Sequence, residues 1–268
     1  MITDKIICDN LLFTICANLC INKVYKFTKA LRIWVVLKKY LAALKDILIP
    51  RICFACEEKI SGGYLCQKCL SKIEFIYPPL CPFCSNRLLN KREKICARCA
   101  KITFPYERLI CITKYKSPVA ELIHLFKYKN YDFLVELFAS LTIKHLTHIG
   151  LEPSGYDIVT AVPLYKTKLR DRGYNQAGLL ARYLANYFKI SFKDDIIYAT
   201  RESLSQVKLD KKSRLSNIKG IFSVQEKLEN KKIMLLDDIF TTGSTVKECA
   251  SALKEKGALV TIMTFSKT

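Results

Sequence analysis

The sequence predicts an α/β protein, a parallel doubly wound sheet preceded by a small metal-held module, and three observations carry that expectation. Past residue 104, short apolar runs alternate with segments of helical periodicity, the order that builds a parallel sheet with ligands at the carboxyl ends of its strands. One run, Ile233-Met234-Leu235-Leu236, ends abruptly in the adjacent carboxylates Asp237 and Asp238 and then a hydroxyl-rich turn, Thr241-Thr242-Gly243-Ser244-Thr245. Upstream, eight of the thirteen cysteines fall into four identical C-x-x-C knuckles between Cys53 and Cys99. At 268 residues the chain has room for one medium α/β domain and one small module. The expected division is an apolar and basic extension over 1–49, a double ribbon over 50–103 and the sheet domain over 104–268.

The extension comes first. Residues 6–21 are apolar but interrupted by Asp9, Asn10 and Asn18, too short for a membrane span, and no cleavage site follows them. Over 26–49, Phe27, Leu31, Trp34, Val35, Leu41, Leu44 and Leu48 alternate with Lys29, Arg32, Lys38, Lys39 and Lys45 in a roughly helical pattern. Packing of that stripe on its own domain is the favoured reading, and a membrane-surface helix the other.

In the ribbon, Cys53, Cys56, Cys66 and Cys69, then Cys81, Cys84, Cys96 and Cys99, supply enough thiolates for two tetrahedral zinc sites. Gly62-Gly63 suits the first turn, and Asn86 and Asn90 the second. With no secretion signal the expected compartment is reducing, which favours zinc over disulfides. Sequential and interleaved pairing of the knuckles both remain open. So polar a module has too little apolar surface to fold unaided, so metal binding and folding should be one event.

In the third region, strands are expected at 109–115, 157–164, 196–199, 233–236 and 259–265, with helices at 118–128, 133–145, 175–188 and 245–256, the last ending at Gly257. Residues 163–176, P-L-Y-K-T-K-L-R-D-R-G-Y-N-Q, read as a basic loop leaving the second strand, with Lys166, Lys168, Arg170 and Arg172 able to neutralise a diphosphate. A polar stretch from Arg201 through Gln206 and Arg214 to Phe222 is long enough for a lid. His124, His145 and His148 fall in helical patterns and read as surface or packing residues.

The acidic pair and the turn after it have a joint chemistry. A turn entering a helix offers unpaired N–H groups and a positive dipole end, to which Thr241, Thr242, Ser244 and Thr245 add hydroxyls, so a phosphate monoester fits there. Gly243 allows close backbone approach. Two carboxylates beside it suit sugar hydroxyls and Mg²⁺. The implied ligand is a phosphorylated sugar with vicinal hydroxyls and a metal-bound leaving group.

The pattern D-D-x-x-T-T-G-x-T after an apolar strand resembles the 5-phosphoribosyl-1-diphosphate (PRPP) signature of type I phosphoribosyltransferases. With the four knuckles, the R-G-Y-N-Q element and the later R-x4-Q…R-x2-N-x2-G-x-F pattern, the chain resembles the competence protein F (ComF) family from about Leu44 onward. That resemblance implies a sheet of the type I phosphoribosyltransferase kind, a PRPP loop at Asp237, Asp238 and Thr241 to Thr245, and a second element at Arg172, Gly173, Asn175 and Gln176. It also implies zinc at the eight cysteines and Mg²⁺ with PRPP. Expected partners are PRPP, single-stranded DNA and proteins of the DNA-uptake machinery, and the expected location is cytoplasmic, with contact at the inner face of the membrane less favoured. The leading expectation is a PRPP-binding protein that assists uptake of single-stranded DNA in natural transformation. The alternative is a working phosphoribosyltransferase of nucleobase salvage, although Ile239-Phe240 offers no general base and leaves catalytic residues unassigned.

The net charge of +20 points the same way without deciding it. It suits a polyanion, but lysine decoration of the surface explains it equally well. Phe83, Tyr115 and Tyr128 lie beside cations and could stack bases, core packing being the rival role for each.

Overall fold

The computed structural model describes residues 51–90, 92–201 and 220–268; the expected extension over 1–49 and the candidates Gln206 and Arg214 lie outside them. Cys53–Glu58 and Gly63–Thr268 form one compact unit. In the other unit, Ile52 and Lys59 make an antiparallel bridge, and the Ile60 N–H donates to the Arg51 carbonyl at 2.9 Å.

In chain order the elements are α1 (Gln67–Ser71), β1 (Arg108–Lys114), α2 (Val119–Tyr128), α3 (Val135–His148), β2 (Ile158–Ala161), α4 (Lys166–Arg172), α5 (Gln176–Phe188), β3 (Ser191–Phe192), β4 (Ile197–Ala199), β5 (Phe222–Val224), β6 (Lys232–Phe240), α6 (Ser244–Glu255) and β7 (Leu259–Lys267). Five strands form one parallel sheet in the order β1-β7-β6-β2-β3. Alternation along each strand feeds two cores, as the period of two requires. Met234 and Leu236 of β6 pack with α2, α3 and α5 on one face, while Ile233 and Leu235 pack with Val246, Cys249, Ala250 and Leu253 of α6 on the other. The sheet is therefore covered on both sides, which is why its central strands read as unbroken apolar runs.

Two expectations change. Residues 163–176 are not a loop: α4 occupies Lys166–Arg172 and ends at Gly173, whose φ of 76° is left-handed, before Asn175 caps α5. Helix α4 buries none of its side chains, so it carries no apolar stripe for periodicity to register. The run at 196–199 does not join the central sheet either. β4 pairs antiparallel with β5, which begins at Phe222 where the stretch expected to be a lid ends, and the fifth central strand is the two-residue β3, too short to leave a pattern.

Both knuckle pairs are docked on this domain. Phe54 and Tyr64 of the first lie against Tyr131 and Phe133, and the Tyr64 hydroxyl donates to Glu136 at 2.7 Å. In the second, Phe83 stacks on Phe104 with ring centroids 4.8 Å apart, and the Ser85 hydroxyl donates to the Leu109 carbonyl at 2.7 Å. Phe83 therefore serves packing. His145 is buried in α3 and stacked on Phe75, also a packing role.

Candidate functional site

The cysteines resolve into two tetrads, Cys53, Cys56, Cys66, Cys69 and Cys81, Cys84, Cys96, Cys99, with the ligand atoms of each set within 4.8 Å of one another. The pairing is sequential. Cys56 and Cys66 sulfurs lie 3.6 Å apart and those of Cys84 and Cys96 3.7 Å. Those are the edges of a tetrahedron with metal–sulfur bonds of about 2.3 Å, and far from the roughly 2.05 Å of a disulfide. Burial and neighbouring thiols push Cys69 and Cys99 above the ordinary thiol range, so four thiolates without a cation are an unfavourable set. The donor set fits zinc.

The acidic pair lies near the carboxyl end of β6, where β2, shorter than β6, has already ended at Ala161. A cavity of about 290 Å³ opens there. Its walls include Asp237, Asp238, Thr241 and Thr245 from the β6–α6 segment, Lys168 and Arg172 from α4, Asn175 and Gln176 from the start of α5, and Arg201 beside the β4/β5 hairpin. Lys166, Arg170, Gly173, Thr242, Gly243 and Ser244 do not line it. Arg170 is exposed and lies 3.9 Å from Asp171.

The turn is shaped by Gly243. Its φ of 74° is left-handed, and a Cβ there would meet the Phe240 ring at 2.5 Å, so no side chain fits. Thr242 and Ser244 hydroxyls share a hydrogen bond of 2.9 Å outside the cavity, leaving Thr241 and Thr245 facing in.

The R-G-Y-N-Q element does two jobs. Asn175 accepts from the Gly178 N–H at 3.3 Å, capping α5, and donates to the Val162 carbonyl at 3.0 Å, fixing the segment that leaves β2. Tyr174 and Gln176 both donate to the Phe126 carbonyl, at 2.6 and 3.4 Å, pinning the last turn of α2. Arg172 donates to Gln176 at 3.1 Å and lies over the Tyr128 ring at 5.3 Å, so Tyr128 supports a cavity cation.

That pinned turn carries the residue the sequence reading missed. Lys127 enters the cavity and ion-pairs with Asp238 at 2.8 Å, both side chains about one-sixth exposed. In the sequence it reads as an ordinary basic residue in the last turn of a helix; only the fold brings it to a carboxylate more than a hundred residues away. The Asp237 carboxyl, which accepts from the Asp238 N–H at 2.9 Å, is pushed up to about 7 by burial first and then by its neighbour's charge, with Lys127 pulling it back. The site thus holds one paired carboxylate and one poised near neutrality, ready to accept hydroxyl donors or a cation.

Comparison with known proteins agrees with this architecture. Residues 44–100 match the double zinc ribbon domain and residues 170–266 the phosphoribosyl transferase domain. Among curated relatives, DNA utilization protein YhgH of Escherichia coli (strain K12) is 27% identical over 218 residues, covering 79% of this chain and 94% of that protein. Competence protein F of Haemophilus influenzae is 27% identical over 208 residues, covering 74% of this chain and 87% of its own length. Among solved structures, adenine phosphoribosyltransferase from Thermoanaerobacter pseudethanolicus covers 53% of this chain and 84% of that one at 15% identity, with a TM-score of 0.33. At that score the likeness carries no weight of its own, and the fold stands on strand order and the domain match. No helix among the described residues is long and apolar enough to cross a membrane.

Proposed function

We propose that this chain, a double zinc ribbon and phosphoribosyl transferase protein of the competence protein F family, binds PRPP in the cavity at the ends of β2 and β6 and assists uptake of single-stranded DNA. One observation carries the ligand: Asp237, Asp238, Thr241 and Thr245 share a cavity with Lys127, Lys168, Arg172 and Arg201. Carboxylates for ribose hydroxyls and cations for phosphate oxygens are the two halves of a phosphorylated sugar site. In this reading Thr241, Thr245 and the N–H groups entering α6 hold the phosphate monoester, and Lys168, Arg172 and Arg201 face the diphosphate. Mg²⁺ bound with the ligand would neutralise diphosphate charge, and Asp237 and Asp238 are the residues that would hold it. The zinc tetrads are structural, and the division at about residue 103 separates the ribbons from the PRPP domain. The DNA role is inferred from the relatives' names and from the chain's charge of +20.

The test replaces Asp237 and Asp238 by Asn together, which removes charge at constant size. Mg-dependent PRPP affinity should fall at least about tenfold, roughly 1.4 kcal/mol, in a chain that remains folded. Unchanged affinity would show that PRPP binds elsewhere. A diphosphate-release screen of bases and small amines separates the two roles: release with one acceptor would identify a working transferase, and binding without release the accessory role.

A further inference from the structure

A second cavity, about 610 Å³ against 290 Å³ for the first, lies at the other half of the same sheet edge, where β1 and β7 end. It is built rather than incidental. Phe75 bridges antiparallel to Thr113, laying residues 75–77 along β1, and the Tyr115 N–H donates to the Lys267 carbonyl at 2.7 Å. The second ribbon supplies the opposite wall: Leu80 bridges to Arg87, and Lys267 donates to the Cys84 carbonyl at 2.7 Å and to the Asn86 side chain.

Its chemistry is mixed in one particular way. Arg87, Lys114, Lys116 and Lys267 are four cationic side chains around a wall that includes Tyr77 and Tyr115. Glu74 bridges Lys114 at 2.6 Å and Lys116 at 2.9 Å, so two lysines share one carboxylate, and no ion pair among the described residues involves Arg87. Tyr77 is 47% exposed, with its ring steadied by His145 and His148 at 5.1 and 5.3 Å. A surplus of cations beside a rigid, accessible aromatic is what a polyanion with flat apolar groups requires.

We propose that this cavity docks single-stranded nucleic acid, Tyr77 and Tyr115 receiving a splayed base while Arg87, Lys114 and Lys116 hold the flanking phosphates. The proposal rests on the DNA-uptake reading above and gives it a location. Its volume falls in the range of roughly 300–1,000 Å³ typical of small-ligand sites, which suits one or two unstacked nucleotides. A duplex keeps its bases inside and reaches only the rim. Because Cys84 and Arg87 belong to the second ribbon, the site also depends on zinc at Cys81, Cys84, Cys96 and Cys99.

The experiment measures binding of a labelled oligodeoxythymidylate to the zinc-loaded full chain across a salt series. Arg87→Glu with Lys116→Glu should weaken binding at least tenfold and flatten the log–log salt slope by about 1.4, two phosphate contacts at about 0.7 each. Tyr77→Ala should remove the salt-resistant part, and PRPP affinity should be unchanged in both variants. The same charge reversal at Arg92 and Lys94 is the control. An equal loss there would mean that binding follows net charge, and the site would be wrong. Crosslinking of a bromodeoxyuridine-substituted strand to the unaltered chain should map to Tyr77 or Tyr115; a map elsewhere overturns the proposal whatever the variants do. If the strand binds but the cavity variants bind like the parent, the location fails and the uptake reading survives. No binding at low salt would sink direct DNA contact and this site with it.

Discussion

In the ribbon, the side chains buried deepest are thiols: Cys53 and Cys81 are fully enclosed, Cys69, Cys84 and Cys99 nearly so, and Leu88 is the main apolar residue among the second set. In the sheet domain the equivalent places belong to Phe138, Leu122, Leu146, Leu184, Leu235 and Ile262. The difference is one of means. A segment of about fifty residues cannot remove enough apolar surface from water to offset its ordering entropy, whereas two faces of a five-stranded sheet can. What the ribbon lacks in apolar area, metal–thiolate bonds must supply.

The largest effect should therefore come from removing metal. The intact chain is expected to carry two zinc ions, since two separate tetrads have tetrahedral sulfur spacing. Structural zinc contributes on the order of 10 kcal/mol or more, so a strong chelator should unfold residues 53–99 and leave the sheet's helical circular dichroism largely intact. Metal analysis with proteolysis after chelation checks it. About one ion per chain would make one ribbon vestigial, and loss of the sheet signal with the metal would erase the contrast between the regions.

The second effect tests the other side. Phe138 is buried between Phe126 and Phe265, with ring centroids 5.0 and 4.5 Å away. Phe138→Ala should cost about 3–5 kcal/mol in denaturant unfolding of the sheet domain. Leu88→Ala in the zinc-loaded ribbon should cost less, about 2 kcal/mol, because the tetrad beside it holds the chain in place. Equal losses would mean that the ribbon relies on packing as much as the sheet does.

How much of this could be read from the sequence follows from how each part is assembled. The tetrads and the Asp237–Thr245 segment, from the end of β6 into the first turn of α6, were legible because their residues are close in the chain, and chemistry at fixed spacing survives without the fold. The central strands were legible because burial on both faces leaves an unbroken apolar run, as in Ile233 to Leu236. Lys127, helix α4, the two-residue β3 and the pairing of β4 with β5 were not. Lys127 meets Asp238 only through the docking of α2, α4 buries no side chain, and a strand of two residues has no period to detect, while β4 was read as a strand at 196–199 but its antiparallel partner, far along the chain, was not. The cavity at β1 and β7 hides for the same reason as Lys127: its walls come from separated segments, among them 75–80, 85–87, 114–116 and 267–268. Of the three aromatic residues noted as stacking candidates, only Tyr115 lines it; Phe83 is packed on Phe104, and Tyr128 supports Arg172.

The smallest effect is the most discriminating, because it asks whether the sheet domain sacrifices stability at the cavity proposed to bind PRPP. Asp237 is raised to about 7 in the folded chain, by burial and by Asp238, against an ordinary carboxyl value near 3.9. Between those two values the native chain retains a proton that the unfolded chain has released, so this group's contribution falls as pH rises from about 4 to about 7 and is constant beyond. Asp237→Asn removes the loss. Without Mg²⁺ or PRPP, the variant should therefore gain little stability over the parent near pH 5 and about 1–3 kcal/mol near pH 8, read as a difference in Tm that widens with pH. With saturating Mg²⁺ and PRPP the order should reverse, since the parent alone keeps the carboxylate that the ligand needs. A variant less stable than the parent at pH 8 would mean that Asp237 is ionised and held by Lys127, and that the site carries no stored cost for ligand to relieve.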